Sequence, residues 1–145
     1  MTLPVGARLL YLIDTSAQAR VHHPEVRAII AGLVADQAAA TAVTVDLEAG
    51  YSGRDHADVR FIAGRRRSLY VVLPITEVIA QRARHVQVMM AARGQHRSAG
   101  VIDLLTAAVA EHHGAVILHY DADFERVAAV TGQAHKWIVP RGSVA

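Results

Sequence analysis

Short apolar runs alternate with longer amphipathic stretches along the chain. Residues 8–13 (RLLYLI) and 115–119 (AVILH) are almost wholly apolar, which is typical of strands buried on both faces of a sheet. Within residues 76–93, apolar side chains recur every three or four positions from Ile79 to Met90. That spacing predicts a helix with one buried face.

The same reading along the whole chain predicts five strands and at least six helices. The predicted strands are 8–13, 41–43, 69–73, 115–119 and 136–139. The predicted helices are 24–35, one capped by Thr44, 56–67, 76–93, 101–113 and 123–130. Strands that alternate with helices indicate an α/β fold, with a mainly parallel sheet covered on both faces. Ligands of such folds bind beyond the carboxyl ends of the strands.

Composition limits the classes of protein to consider. With 145 residues, 52% of them hydrophobic, the chain suits one globular domain spanning 1–145. The absence of cysteine excludes disulfide scaffolds, cysteine-ligated zinc and iron–sulfur clusters. No apolar run approaches the roughly 18 residues of a membrane span, and the first ten residues show no secretory signal. We therefore expect a cytoplasmic protein with no membrane partner.

The formal net charge is +2, but the basic residues are almost all arginine. Lys136 is the only lysine among the 15 basic residues. Arginine pairs bidentately with phosphate, so this bias suits a phosphate-bearing partner, although a GC-rich genome explains it equally well.

Acidic residues fall where this fold places its ligands. Asp14 directly follows the first strand, and Asp121 follows the 115–119 strand by two residues. Glu48 lies in a helix, Asp103 lies in the first turn of another between aliphatic neighbours, and Asp123 opens the next. The aspartates at helix starts could simply be caps or contacts with the helix dipole, and Glu48 could be solvated.

Together, however, carboxylates at one strand edge would repel each other unless a divalent cation bound among them. Oxygen ligands suit Mg²⁺ or Mn²⁺. Water activated by such a metal could attack a phosphodiester.

Four segments carry a resemblance to a known family. They are YLIDTSA (11–17), DLEAGYS (46–52), IDLLTAAVA (102–110) and HYDADFERVA (119–128), followed by VPRGSV near the end. In this order they resemble the PIN-domain nucleases, and most closely the VapC toxins of VapBC toxin–antitoxin pairs.

The resemblance implies a three-layer α/β/α sandwich and an Mg²⁺- or Mn²⁺-dependent endoribonuclease. The family's four catalytic acids fall on Asp14, Glu48, Asp103 and Asp121. We expect Asp14 and Asp103 to be the principal metal ligands, with Asp121 and Asp123 completing the site. Glu48 would orient the attacking water or bind a second ion. The hydroxyls after the first aspartate, Thr15 and Ser16, would support the metal site.

Partners follow from the same resemblance: an RNA substrate, a VapB-type antitoxin and a second copy of the toxin. The family uses the region of helices 24–35 and 56–67 for the dimer and the antitoxin groove. Arg93 and Arg97 precede the Asp103 helix and are candidates for substrate binding. The run Arg65–Arg67 is interpreted as a solvated helix end, and most of the nine histidines as surface or loop residues.

Two other functions remain open. One is a non-catalytic RNA-binding module on a PIN-like scaffold, which the complete acidic set disfavours. The other is a phosphatase of the haloacid-dehalogenase type. That class needs a second aspartate two residues after the first, where this chain has Ser16.

Overall fold

A computed structural model describes residues 8–145. Residues 1–7 lie outside the described residues. The start of the predicted domain 1–145 and most of the segment in which no secretory signal was predicted fall there. The strands are β1 (Tyr11–Ile13), β2 (Ala39–Thr41), β3 (Val71–Val72), β4 (Val116–His119) and β5 (His135–Trp137). The helices are α1 (Thr15–Gln18), α2 (Pro24–Ala35), α3 (Val43–Tyr51), α4 (His56–Leu69), α5 (Glu77–Ala91), α6 (Val101–His112) and α7 (Asp123–Thr131).

All five strands run parallel, in the order β3-β2-β1-β4-β5. Because side chains alternate across a strand, Leu12 and Ile117 pack toward α3, α5, α6 and α7, whereas Ile13 and Leu118 pack toward α1 and α2. The predicted three-layer α/β/α sandwich is therefore confirmed.

The centre of the sheet sets the position of the site. In the register of β1 and β4, Ile13 lies opposite Leu118, so the segments that follow these two strands emerge side by side. Gly114, with φ +66°, ends α6 and turns the chain into β4, a backbone conformation that glycine adopts without strain. None of the helices within residues 8–145 is long and apolar enough to cross a membrane.

Several predicted boundaries are wrong by one to three residues, and one short helix was not predicted. β2 ends at Thr41 rather than starting there, and α3 is capped by Ala42 rather than Thr44. The predicted pattern fails here because the residues from Ala38 to Thr41 are uniformly small, so their polarity does not fix the strand. The four-residue α1 was not predicted, since it is too short to show a helical period.

The last strand also lies earlier than predicted. β5 spans His135–Trp137 rather than 136–139 because it pairs with Ile117–His119 of β4. Ile138 and Val139 are buried just beyond the strand, which explains why the apolar pattern continues past it.

Candidate metal centre

Asp14 begins the site at the carboxyl end of β1. Its Oδ2 accepts the backbone N–H of Ser16 at 3.0 Å, so the predicted capping role is present. Its Oδ1 is buried and has no hydrogen-bond partner within residues 8–145. Burial raises the pKa of Asp14, and the charge of Asp121 raises it further, while the hydrogen bonds to Ser16 oppose the shift. Capping thus accounts for one oxygen of Asp14 and leaves the other without a partner.

Glu48 and Asp103 approach Asp14 from two helices. Thr15 donates its hydroxyl to Oε1 of Glu48 at 3.3 Å, and burial followed by the charge of Asp14 raises the pKa of Glu48. Asp103 lies in the first turn of α6. Burial, and then repulsion from the neighbouring carboxylates, chiefly that of Asp14, raises the pKa of Asp103 to about 7.

The carboxylates form two overlapping groups. One oxygen each of Asp14, Glu48 and Asp103 lie within 4.8 Å of one another, and the same holds for Asp103, Asp121 and Asp123. Asp103 belongs to both groups and joins them into one acidic centre. The five acidic residues singled out in the sequence therefore meet at one edge of the sheet.

Asp121 and Asp123 are held by the turn that starts α7. Oδ1 of Asp121 accepts the backbone N–H of Asp123 at 2.9 Å. Asp123 forms an ion pair with Arg126 at 2.5 Å. Burial and the charge of Asp121 nevertheless raise the pKa of Asp123. Within residues 8–145, Asp123 is thus the member of the centre that has a partial counter-charge from the protein.

Ser16 connects the two strand ends. Its Oγ accepts the backbone N–H of Tyr120 at 2.9 Å, so α1 is fixed to the segment that follows β4. With Thr15 on Glu48, both hydroxyls after the first aspartate contact parts of the acidic centre.

A buried pair of threonines links the helices that carry Glu48 and Asp103. The hydroxyls of Thr44 on α3 and Thr106 on α6 are 2.7 Å apart, and both side chains are buried. We did not predict this contact. Its signal in the sequence is only a threonine among mostly apolar neighbours in each helix.

One histidine is buried beside the acidic centre. His119 ends β4 and is fully buried, which agrees with the buried strand predicted over 115–119 and makes it an exception to the interpretation of most histidines as surface or loop residues. Its Nδ1 accepts the backbone N–H of Asp121 at 3.1 Å, and its Nε2 lies 3.0 Å from Nδ1 of His135. Burial, with repulsion from His135, lowers the pKa of His119 to about 4.

Basic residues divide into exposed and buried ones. Arg93 and Arg97 are exposed in the segment between α5 and α6. The interpretation of Arg65–Arg67 as a solvated helix end is wrong for Arg66, which is buried and donates from Nε to Oδ1 of Asp46 at 2.7 Å. Arg66 is held in the interior because its guanidinium donates to Thr41 at the end of β2 and to Asp46 on α3.

The donor set fits a hard divalent cation. It consists of carboxylate oxygens, the ligands that Mg²⁺ and Mn²⁺ use in proteins, and it includes the buried, unpartnered Oδ1 of Asp14. A buried charged oxygen without a partner is costly, and a bound cation would remove that cost.

Comparisons with known proteins agree with this geometry. The model of the PIN domain family matches residues 11–130. Ribonuclease VapC21 of Mycobacterium tuberculosis is 40% identical over 133 residues, which cover 92% of this chain and 96% of that protein. Ribonuclease VapC51 of the same organism is 42% identical over 142 residues, covering 94% and 98%.

A solved structure shares the fold. The crystal structure of VapBC2 from Rickettsia felis, bound to a DNA fragment from its promoter, contains a chain with a TM-score of 0.73 and 14% identity, and the match covers 89% of this chain and 99% of that one. The predicted relationship is confirmed: this chain belongs to the PIN-domain family, and within it to the VapC group.

Proposed function

We propose that the chain is a divalent-metal-dependent endoribonuclease and the toxin of a toxin–antitoxin pair. The observation that supports this most strongly is the acidic centre with its unpartnered Asp14 oxygen. The names of the VapC21 and VapC51 relatives support a ribonuclease. We take residues 1–145 as one nuclease domain that acts in the cytoplasm.

Asp14 and Asp103 would hold the ion, with Asp121 and Asp123 completing its surroundings. When bound, Mg²⁺ or Mn²⁺ supplies positive charge that acidifies water and stabilises negative charge on a phosphate. Ser16 and Thr15 keep the ligands in place through the contacts described above. His119 fixes the backbone at Asp121.

Glu48 would orient the attacking water. Thr15 holds its Oε1, which leaves Oε2 to accept a hydrogen bond from a water nucleophile. Its raised pKa makes the carboxylate a better proton acceptor than an exposed glutamate.

The substrate would reach the centre along the segment that leads into α6. Arg93 and Arg97 are exposed there, and within residues 8–145 neither forms an ion pair. Their guanidinium groups are free to bind phosphates on either side of the cleaved bond.

The antitoxin would occupy an apolar groove away from the acids. A cavity of about 660 Å³ lies between α2 and the end of α4, lined by residues that include Ile30, Val34, Leu69 and Tyr70. These helices are the predicted partner region. An amphipathic helix inserts its apolar face into grooves of this kind, and the VapBC2 structure contains a toxin together with its antitoxin. The predicted homodimer stays a prediction.

The test is cleavage of a fluorogenic RNA by purified protein. We expect Asp14→Asn and Asp103→Asn each to reduce cleavage to background, because each removes a principal ligand. Asp36→Asn, an exposed acid at the end of α2, is the matched control and should cleave like wild type. EDTA should abolish cleavage by wild type, and Mg²⁺ should restore it.

Other outcomes would indicate other functions. Full cleavage by Asp14→Asn would refute the proposal. RNA that is retained in EDTA and stays intact after Mg²⁺ is added would indicate the non-catalytic binding module. Stable labelling of Asp14 by a phosphoryl analogue would indicate the phosphatase.

A further inference from the structure

The ring of His119 lies beneath the acidic centre with both nitrogens engaged. The side chain is fully buried at the end of β4. Nδ1 meets the backbone N–H of Asp121 at 3.1 Å, and Nε2 meets Nδ1 of His135 at 3.0 Å. A buried polar side chain therefore contacts the backbone of a proposed metal ligand.

These two contacts determine which nitrogen carries the proton. A backbone N–H can only donate, so Nδ1 of His119 must be unprotonated. The proton then resides on Nε2, which donates to Nδ1 of His135. The hydrogen bond made by one ring nitrogen of a histidine thus sets the role of the other. His135 acts on the centre through the tautomer of His119.

Neighbouring rings prevent His119 from turning. Its ring centroid lies 5.2 Å from that of Phe124 and 5.1 Å from that of Trp137. The β4–β5 register places Trp137 opposite His119 and His135 opposite Ile117. Trp137 is itself held by a hydrogen bond from Nε1 to Glu125 at 2.7 Å.

The fixed ring holds the turn that presents two carboxylates. With its N–H bound to His119, Asp121 has its Oδ1 placed to accept from Asp123. Both acids then lie beside Asp103. Without the His119 contact, the N–H of Asp121 would need a new partner, and the turn would have to move to find one.

We propose that His119 is a positioning residue of the metal centre: its Nδ1 holds the backbone of Asp121, and His135 keeps the ring in the tautomer that makes this possible. The inference rests on the proposed function and deepens it, because it states what orients one side of the centre.

The test compares two variants that differ in one acceptor. His119→Asn keeps a hydrogen-bond acceptor bonded to Cγ, at the position of Nδ1. His119→Leu removes that acceptor, and its side chain is closer to histidine in volume than asparagine is. We expect His119→Leu to weaken Mn²⁺ binding about 10- to 100-fold, the usual effect of losing a residue that orients a metal ligand. His119→Asn should retain most of the affinity. Titration calorimetry with Mn²⁺ measures both.

Stability alone does not distinguish these variants, because His119→Asn leaves space in the core, His119→Leu leaves the N–H of Asp121 without its acceptor, and both should therefore melt earlier in EDTA. Circular dichroism confirms that each is folded. Asp121→Asn is the positive control and should also lose affinity. If folded His119→Leu binds Mn²⁺ like wild type while Asp121→Asn does not, this inference is wrong and the proposed function stands. If Asp121→Asn also binds normally, the inference and the assignment of Asp121 both fall.

A measurement on wild type covers the case in which His119→Leu does not fold. Long-range ¹H–¹⁵N spectra of the metal-free protein report the tautomer of each histidine. We expect His119 with an unprotonated Nδ1 and a protonated Nε2. The opposite tautomer would overturn the inference.

Discussion

The arginine network and the acidic centre, two of the groups of charged side chains within residues 8–145, are built in opposite ways. The arginine network consists of Arg66, Asp46, Thr41 and Gln18. The guanidinium donates to Asp46 at 2.7 Å, to Thr41 at 2.9 Å and to Gln18, and it lies 4.9 Å from the centroid of Tyr70. The acidic centre instead gathers five carboxylates, of which only Asp123 forms an ion pair within residues 8–145.

The difference shows how to distinguish buried charged groups that stabilise the fold from those that bind a ligand. In the arginine network every charge is matched inside the protein, so its stabilising effect is complete in the folded chain. In the acidic centre the carboxylates other than Asp123 form no ion pair within residues 8–145, and the raised pKa values of Asp14 and Asp103, caused first by burial and then by neighbouring charges, express that conflict. A fold maintains such a conflict where a ligand resolves it.

Removal of Arg66 should have the largest effect on stability. Arg66→Ala leaves Asp46 without its counter-charge and empties a buried position. We expect the free energy of unfolding to fall by about 3 kcal/mol, at the low end for a broken buried pair because the side chain of Asp46 is 34% exposed.

Urea denaturation measures this loss. Arg65→Ala, the exposed neighbour on the same helix, is the control and should change stability by less than about 0.5 kcal/mol. Equal losses of unfolding free energy for the two variants would mean that Arg66 contributes no more to stability than an exposed arginine at a helix end.

Neutralisation in the acidic centre should act in the opposite direction. The pKa of Asp103 is about 7 in the folded protein, against an ordinary 3.8. A raised pKa of this kind means that the folded state keeps a proton that the unfolded state has lost, so stability falls as the pH rises through 7. In EDTA at pH 8, Asp103→Asn should therefore melt later than wild type, by about 3 °C.

Scanning calorimetry across pH checks the sign. The advantage of Asp103→Asn should shrink as the pH falls from 7 and vanish only below 3.8, where the wild-type carboxyl is protonated in both states. If Asp103→Asn melts at a lower temperature than wild type at pH 8, burial and repulsion of the Asp103 carboxylate do not destabilise the cation-free protein.

The smallest effect on the free energy of unfolding should come from the pair formed by Thr44 on α3 and Thr106 on α6. This neutral contact links two helices that carry charged side chains. Thr44→Val or Thr106→Val alone leaves one buried hydroxyl unpaired, which costs about 1 kcal/mol. The double variant removes both hydroxyls, so its loss should be smaller than the sum of the two. Urea denaturation of all four proteins gives the coupling energy. Strict additivity would mean that the 2.7 Å contact does not couple α3 to α6.

The order of strands and helices and the place of the acids could be predicted from the sequence because both depend on local pattern. Asp14 and Asp121 each follow an apolar strand, and parallel strands bring their ends together. Arg66, Thr44 and His119 could not be assigned in this way. Their partners lie on other elements, and the sequence around each resembles that of an ordinary helix or strand. A buried arginine and an exposed one look alike until the opposing surface is known.

The pairing of β1 with β4 has a consequence for how the protein is made. Asp14 is synthesised early, but Asp103 and Asp121 follow only after most of the chain, and β4 must pair with β1 to bring them together. Contacts between such distant segments form late in folding. A nascent chain therefore carries no complete acid set until most of its last third has been synthesised.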